Sequence, residues 1–264
     1  MVMTNFLQKR KSVREFKNSA ISSAELEKIR EYMEVITKEE ASVDFVLYEN
    51  GKIIYEGLIG KAGYSGVMIN SPHYIALTMR DTHRSTLLHA GYYLEKLNTK
   101  LIDMGLNTCW ITVDKVDNHT MKSIFGAEGE YIDYLIAFGY EKEKKFYERE
   151  IFSARYEIDE IVFFNKIGQN IDIEELENRG LLEIFSSVRY APSHKNFQPW
   201  RFVVKDSDVY VYMVKSDEDS RSLIDIGIVM FYFEEMAKTI GKYGKWSVIL
   251  EDEEAYLKIA KFTM

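Results

Sequence analysis

Cysteine is nearly absent. The chain of 264 residues has one, Cys109, which excludes an internal disulfide framework and leads us to expect a reducing, cytoplasmic setting. Proline is scarce as well, three in all, and no Gly/Ser/Pro-rich stretch occurs, so no linker separates independent domains. Positive charge is in deficit: 34 Lys+Arg against 42 Asp+Glu give a formal net charge of −8. That balance argues against general nucleic-acid binding, because a phosphate backbone demands a basic surface. The longest apolar run, Ile226 to Phe233, is far too short to span a bilayer, and the opening MVMTNFLQKRKS holds no apolar stretch of signal-peptide length. The five histidines (His73, His83, His89, His119, His194) show no metal-ligand spacing. His83 and His89 stand six apart, off a shared helix face. Nucleic acid, membrane and metal are therefore not expected partners.

What is present reads as an ordinary globular chain, 46% hydrophobic and 29% charged, long enough for one large domain or two small ones. The segment up to Phe16 is polar and extended. Ser22 and Glu25 form a capping box before Leu26, Ile29, Met33 and Ile36, which repeat with helical period. Val43–Tyr48 and Lys52–Tyr55 read as strands joined by Glu49-Asn50-Gly51 in a hairpin. Further on come a strand at Tyr74–Met79, a helix from Leu87 to Met104, and strands at Thr108–Val113 and Tyr131–Phe138. The mixed-charge run EKEKKFYERE follows at 141–150. Then the pattern repeats: a helix over 173–188, strands near 201–205 and 209–214, a long helix over 220–240, and a strand near 246–250.

That repetition has a spacing. Gly91, Gly105 and Trp110 are separated by 14 and 5 residues, as are Gly227, Gly241 and Trp246, at an offset of 136. Ile21, Ser22, Glu25, Leu26 and Glu27 match Ile171, Asp172, Glu175, Leu176 and Glu177 at offset 150. Phe45, Val46 and Tyr55 match Phe202, Val203 and Tyr212 at offset 157. Each match alone is what common residues give by chance; three in the same order favour an internal duplication. The change of offset from 150 to 157 places seven extra residues of the second half within VRYAPSHKNFQPW.

Two segments carry chemistry. Lys9-Arg10-Lys11-Ser12-Val13-Arg14 gathers four cations and a hydroxyl within six residues of an acidic chain. Guanidinium forks and a hydroxyl suit a phosphate; a solvated basic arm is the plain alternative. Ala191-Pro192-Ser193-His194-Lys195-Asn196-Phe197-Gln198-Pro199-Trp200 holds two of the three prolines. It offers hydroxyl and amide donors on a stiffened loop, suited to the edge of a heteroaromatic ring. A helix stop before a strand is its plain alternative. Cys109, flanked by Trp110, reads as a buried small hydrophobe rather than a nucleophile. His194 reads as a loop residue lining a ligand, with a general acid as the other option.

These segments resemble the FMN-dependent nitroreductases. KRKSVREF is similar to that family's Arg-Arg-Ser/Thr-x-Arg-x-Phe signature. APSHKNFQPWRFVV is similar to its Ala-Pro-Ser-x-x-Asn-x-Gln-Pro-Trp loop, and Gly105-Leu106-Asn107-Thr108-Cys109-Trp110 to its Gly-Leu-Gly-Thr-Cys-Trp segment. The resemblance runs from Lys9 to about Trp246 and is nearest to the subgroup in which one chain carries two nitroreductase-like halves. It implies an α+β fold made of two related α/β halves fused as a pseudo-dimer. Residues 1–165 form the half with the basic phosphate segment, and residues 166–264 the half with the Pro-Ser loop. The ordinary subunit carries both signatures, and here they are split. One FMN per chain is expected, with a monomer sufficing as an intramolecular pseudo-dimer; further dimerisation with shared sites is the alternative.

By the same resemblance, Arg10, Lys11 and Ser12 bind the FMN phosphate and ribityl chain, and Arg14 approaches the pyrimidine edge. A cation there stabilises the negative charge that develops on reduction. Pro192, Ser193, His194 and Asn196 contact the ring or ribityl chain. Trp110, Ile111 and Thr112 follow a segment whose backbone donors lie near flavin N5 and O4. Family members often have glycines just beyond that tryptophan, where this chain has Thr112 and Val113, a departure that bears on substrate access. Arg155 resembles the late basic residue that completes the phosphate site, with Lys144, Lys145 and Arg149 as competitors. The implied activity is ping-pong reduction of a nitroaromatic, quinone or related small-molecule acceptor by NADH or NADPH. The flavin supplies the chemistry, so no side chain need be catalytic. A flavin-binding protein without turnover, and a cofactor-free protein using the basic arm for macromolecular contact, are the rival readings.

Overall fold

A computed structural model describes residues 10–63, 66–143 and 154–264. Lys9, Lys144, Lys145, Arg149 and most of the mixed-charge run therefore lie outside the described residues. The described chain divides into two units. Residues 10–63, 66–82 and 96–143 make the first, and residues 83–95 with 154–264 make the second.

In the first unit an extended arm leads into α1 (Ser23–Glu39). Its start is fixed by a complete capping box, in which the Ser22 hydroxyl accepts from the Glu25 N–H and the Glu25 carboxylate accepts from the Ser22 N–H. Leu26, Ile29, Met33 and Ile36 are the buried stripe, as their spacing predicts. Four antiparallel strands, β1 (Val43–Tyr48), β2 (His73–Met79), β3 (Asn107–Thr112) and β4 (Ile132–Gly139), lie in the order β1-β2-β4-β3. β2 is buried at every residue, which requires cover on both faces. On one face α2 (Gly51–Leu58) sets Ile54 and Leu58 into a cluster with Tyr74, Ala76, Cys109, Ile111, Leu135 and Ala137, which Val13 and Phe16 of the arm join. α4 (Asn118–Phe125) adds Met121 and Phe125 to the same cluster. Between β2 and β3 runs α3 (Arg84–Asp103). Buried His73 accepts the Ile21 N–H through Nε2 at 3.0 Å, and burial lowers its pKa, so it is a neutral structural side chain.

The expected hairpin is not formed: Lys52–Tyr55 lies in α2, and Asn50-Gly51 opens a helix. Gly51 N–H donates to Pro72 O at 2.8 Å, and a Cβ at this position would sit 2.1 Å from Ser71 O. The chain thus closes onto the segment entering β2, and Ile54 and Leu58, four apart, bury one face of a helix. Tyr55 of α2 and Tyr212, which lies in a strand, are consequently not equivalent, and the third alignment holds only for the strand carrying Phe45 and Val46.

The second unit contains α5 (Ile158–Ile161), β5 (Val162–Phe164), α6 (Ile173–Asn178), α7 (Leu182–Val188), β6 (Trp200–Lys205), β7 (Asp208–Val214), α8 (Asp219–Thr239), β8 (Lys245–Asp252) and β9 (Tyr256–Thr263). The single helix expected over 173–188 is two. Gly180, at φ +64°, breaks it, and Leu181 N–H returns to Leu176 O at 2.8 Å in a left-handed C-cap. The sheet order is β5-β6-β7-β9-β8, antiparallel except for the β5–β6 pair. β6-β7-β9-β8 thus has the order and direction of β1-β2-β4-β3, with α8 connecting β7 to β8 as α3 connects β2 to β3. Residues 40–42 join α1 to β1, whereas residues 189–199 join α7 to β6. The longer connection lies within the segment VRYAPSHKNFQPW.

α8 is buried without interruption from Ser222 to Phe233, so it needs partners all round. On the sheet side Phe233 meets Phe185, Phe202, Trp246 and Phe262, with ring centroids 5.6, 6.0, 5.2 and 5.1 Å away. On another side it crosses the beginning of α3 at van der Waals distance. A Cβ on Gly91 would lie 1.9 Å from Ile224 O, and one on Gly227 would lie 2.0 Å from Leu88 O. Each glycine meets the carbonyl three residues before the other, so the contact is reciprocal.

Candidate functional site

In the first unit the basic arm lies along the outer edge of β3. Ser12 bridges Thr108 in parallel, and Val13 N–H donates to Thr108 O at 2.9 Å. Phe16 bridges Glu141, and Lys17 N–H donates to Tyr140 O at 2.8 Å. Buried Val13 and Phe16 anchor the arm, while Ser12 and Arg14 on either side of Val13 remain exposed. Lys11 pairs with Glu141, Nζ to Oε2 2.6 Å. Arg10 and Arg14 are close enough to act on Cys109: burial pushes its thiol pKa up, and the two guanidinium groups oppose that rise. Cys109 is thus an un-ionised core thiol, as its neighbours in sequence suggest.

β3 offers backbone groups on the same edge. Cys109 and Ile111 face β4, as the continuing bond from Val113 N–H to Asp133 O (2.9 Å) shows. Strand alternation turns Thr108, Trp110 and Thr112 outward. Thr108 O takes the arm and Thr112 O takes Gly63 N–H at 3.2 Å, which leaves the Trp110 N–H on the edge between them. The Ile111 side chain belongs to the core cluster. The half-buried Trp110 ring meets Tyr134 edge-on at 6.2 Å.

In the second unit the Pro-Ser segment is a tight loop with three non-glycine residues in the left-handed region, Lys195 (φ 49°), Asn196 (φ 61°) and Gln198 (φ 50°). Such residues persist only when the surroundings hold them. Ser193 Oγ accepts from Gln198 N–H at 2.9 Å, and Gln198 Oε1 accepts from Tyr156 N–H at 3.0 Å. Asn196 Nδ2 donates to Ala154 O at 2.8 Å, and its Oδ1 accepts from Arg155. Arg155 is therefore placed with the loop, and its segment is pinned by the Arg189–Glu157 fork at 2.6 and 3.1 Å. The His194 ring is fixed too. Arg221 Nη1 lies 3.0 Å from Nε2, and since arginine can only donate, that nitrogen accepts. An Nε2 so occupied is a poor general acid.

The structure thus brings Arg10, Ser12, Arg14 and Trp110 onto one strand edge, and Ser193, His194, Asn196 and Arg155 into one braced loop. The first set offers guanidinium, hydroxyl and N–H donors, the chemistry an anion with a flat polar ring requires. Among the described residues no cluster of His, Cys, Asp and Glu could hold a metal ion. Gln198, an amide donor within the loop motif, braces the loop, and sequence reasoning missed Asp225. Asp225 accepts the His194 N–H on α8; its signal was a lone carboxylate within Leu223-Ile224-Asp225-Ile226.

A family model described as "Putative TM nitroreductase" matches residues 3–237. A solved Thermotoga maritima protein described in the same terms is 19% identical, with 99% of this chain and 93% of that chain covered at a TM-score of 0.62. A nitroreductase with bound FMN from Bacteroides fragilis is 15% identical over 58% of this chain and 95% of that chain, at a TM-score of 0.43. An FMN-dependent nitroreductase from Clostridium difficile is 19% identical over 54% and 89%, at 0.45. No curated protein matches.

Proposed function

The chain belongs to this nitroreductase family, and from that premise we propose that it is an FMN-dependent oxidoreductase. In this reading it oxidises NADH or NADPH and reduces a nitroaromatic, quinone or related acceptor in alternating half-reactions. The observation that carries the reading is the arm paired to the open edge of β3, which sets exposed Ser12 and Arg14 beside an outward Trp110 N–H. Bound FMN would supply the hydride chemistry. The chain's own work is to hold the phosphate with Arg10 and Ser12 and to keep positive charge near the ring with Arg14. Within the first unit the Trp110 backbone offers a donor to the polar edge; within the second the Ser193–Asn196 loop offers donors of its own.

We also read the chain as two fused, related halves. The shared strand order supports this, as does the reciprocal Gly91/Gly227 contact. So does a third correspondence: Leu106 N–H bonds to Leu101 O and Lys242 N–H to Ala237 O, the same C-cap around Gly105 and Gly241 at the same offset of 136. The arm occurs once and the Pro-Ser loop occurs once in the sequence, so this reading expects one flavin per chain.

FMN titration followed by absorbance and fluorescence quenching tests the reading, with parallel double-reciprocal plots expected for turnover. Wild-type protein that neither copurifies with flavin nor binds added FMN would overturn it. Flavin binding without turnover is the second reading, favoured by Val113, a buried side chain where family members often have glycine. Photoreduced flavoprotein that is never reoxidised by NAD(P)+ or a quinone would establish that reading.

A further inference from the structure

Asp225 is the charged residue that the apolar run of α8 does not account for. It is 5% exposed, and among the described residues no cation forms an ion pair with it. Both its oxygens accept one N–H, that of His194, at 3.1 and 3.0 Å. A buried carboxylate without a counter-ion is costly, so what it holds matters. It holds the entry to the three left-handed residues Lys195, Asn196 and Gln198. The loop's other bonds come from its own side chains, from the short segment 154–156, and from the side-chain pairs Lys195–Glu218, His194–Arg221 and the Arg201 donation to Gln198 O; the bond to Asp225 is the one that holds the backbone N–H at the loop's entry. Asp225 ties the loop to the most buried helix of the unit. Resting on the flavin reading above, we propose that Asp225 is a positioning residue that fixes the Ser193–Gln198 loop in the conformation that takes up FMN.

The electrostatics add a way to separate this role from plain structural support. Burial pushes the Asp225 carboxyl up to about 8, Glu218 acts in the same direction, and the His194 N–H opposes both. The charged groups around it are Glu218 and Arg221 of its own helix region and His194 and Lys195 of the loop. Near pH 8.5 the charge therefore burdens the fold while strengthening the bond to the loop. Asp225→Asn keeps size and one acceptor and removes the charge. A residue that merely supports the fold would lose stability and ligand affinity together; here they part.

The experiment combines FMN titration, thermal unfolding at pH 8.5 and amide hydrogen exchange of flavin-free protein, on wild type, Asp225→Asn and Asp225→Leu. For Asp225→Asn we expect a higher Tm, FMN Kd weakened about 5- to 20-fold, and at least about tenfold faster exchange over His194–Gln198. Asp225→Leu is expected to weaken FMN further; should it fail to fold, the Asn variant carries the test. Exchange or Kd within twofold of wild type in Asp225→Asn would overturn the proposal. Wild type that fails to bind FMN would instead overturn the flavin reading and this role with it, whereas the exchange arm still reports whether Asp225 anchors the loop.

Discussion

At the scale of single residues, the cations clustered in the basic arm have different surroundings. Arg10, Lys11 and Arg14 stand within five positions, yet Lys11 spends its charge on Glu141 at 2.6 Å while Arg14 stays exposed beside buried Val13. Arg10→Ala and Arg14→Ala should each weaken FMN binding by about 10- to 100-fold, the worth of a charge-assisted contact. Lys11→Ala should change it less than about threefold. Equal losses at all three positions, measured by fluorescence titration at fixed salt, would refute the distinction. Asp225 gives a prediction in pH. Its folded pKa of about 8 lies above the ordinary 3.8, so the native state holds the proton more tightly than the unfolded chain does. The stability this contributes is fully present below about pH 4 and is lost as pH rises through about 8. Urea unfolding across that range should show wild type declining against Asp225→Asn by on the order of a few kcal/mol. Flat, parallel profiles would mean that the group titrates normally. The residue types in both site segments were legible from the sequence because guanidinium, hydroxyl and amide chemistry is written in residue type. Asp225 was not, because its role depends on which backbone N–H a helix brings to it.

At the scale of elements, period and punctuation read well where a segment's own residues decide its form. The capping box at Ser22 and the stripe from Leu26 to Ile36 are local facts and are found in place. Where tertiary contact decides, local signals mislead. Asn50-Gly51 carries a strong hairpin signal, but Gly51 abuts Ser71 O so closely that the chain turns into α2 instead. β9, which the sequence analysis does not assign, alternates buried Leu257, Ile259 and Phe262 with Lys258 and Lys261 and pairs with β7 and β8 on either side. The glycines at the α3–α8 crossing share a spacing in the sequence; their reason is steric. Gly91→Ala or Gly227→Ala forces a methyl to about 2 Å from a backbone carbonyl, which no rotamer can relieve. Each should destabilise by at least about 2 kcal/mol, at the upper part of the overpacking range. Phe233→Ala, which empties the centre of the aromatic cluster, should cost about 3–5 kcal/mol. Denaturant midpoints check both, and a glycine variant within about 0.5 kcal/mol of wild type would show that the helices separate at little cost.

At the scale of the whole molecule, the question is how many complete binding sets one chain contains. The two sheets share strand order, and the connecting helices end in the same cap, yet the extras differ. An arm is paired to β3, and no second Arg-Arg-Ser run precedes Ile171. A braced loop precedes β6, where only residues 40–42 precede β1. If fused copies had each kept a whole site, both features would occur twice. Each occurs once in the sequence, which is the outcome the proposed reading of two fused halves expects. Saturating FMN should therefore reach one equivalent per chain, by flavin absorbance of the released cofactor against protein concentration. In the reading proposed above one flavin meets both the arm and the loop, and it predicts that Arg10→Ala and Asn196→Ala each lower that single affinity and that the double variant lowers it further. Two equivalents per chain, or two classes of site each sensitive to only one of the substitutions, would mean that each half binds for itself.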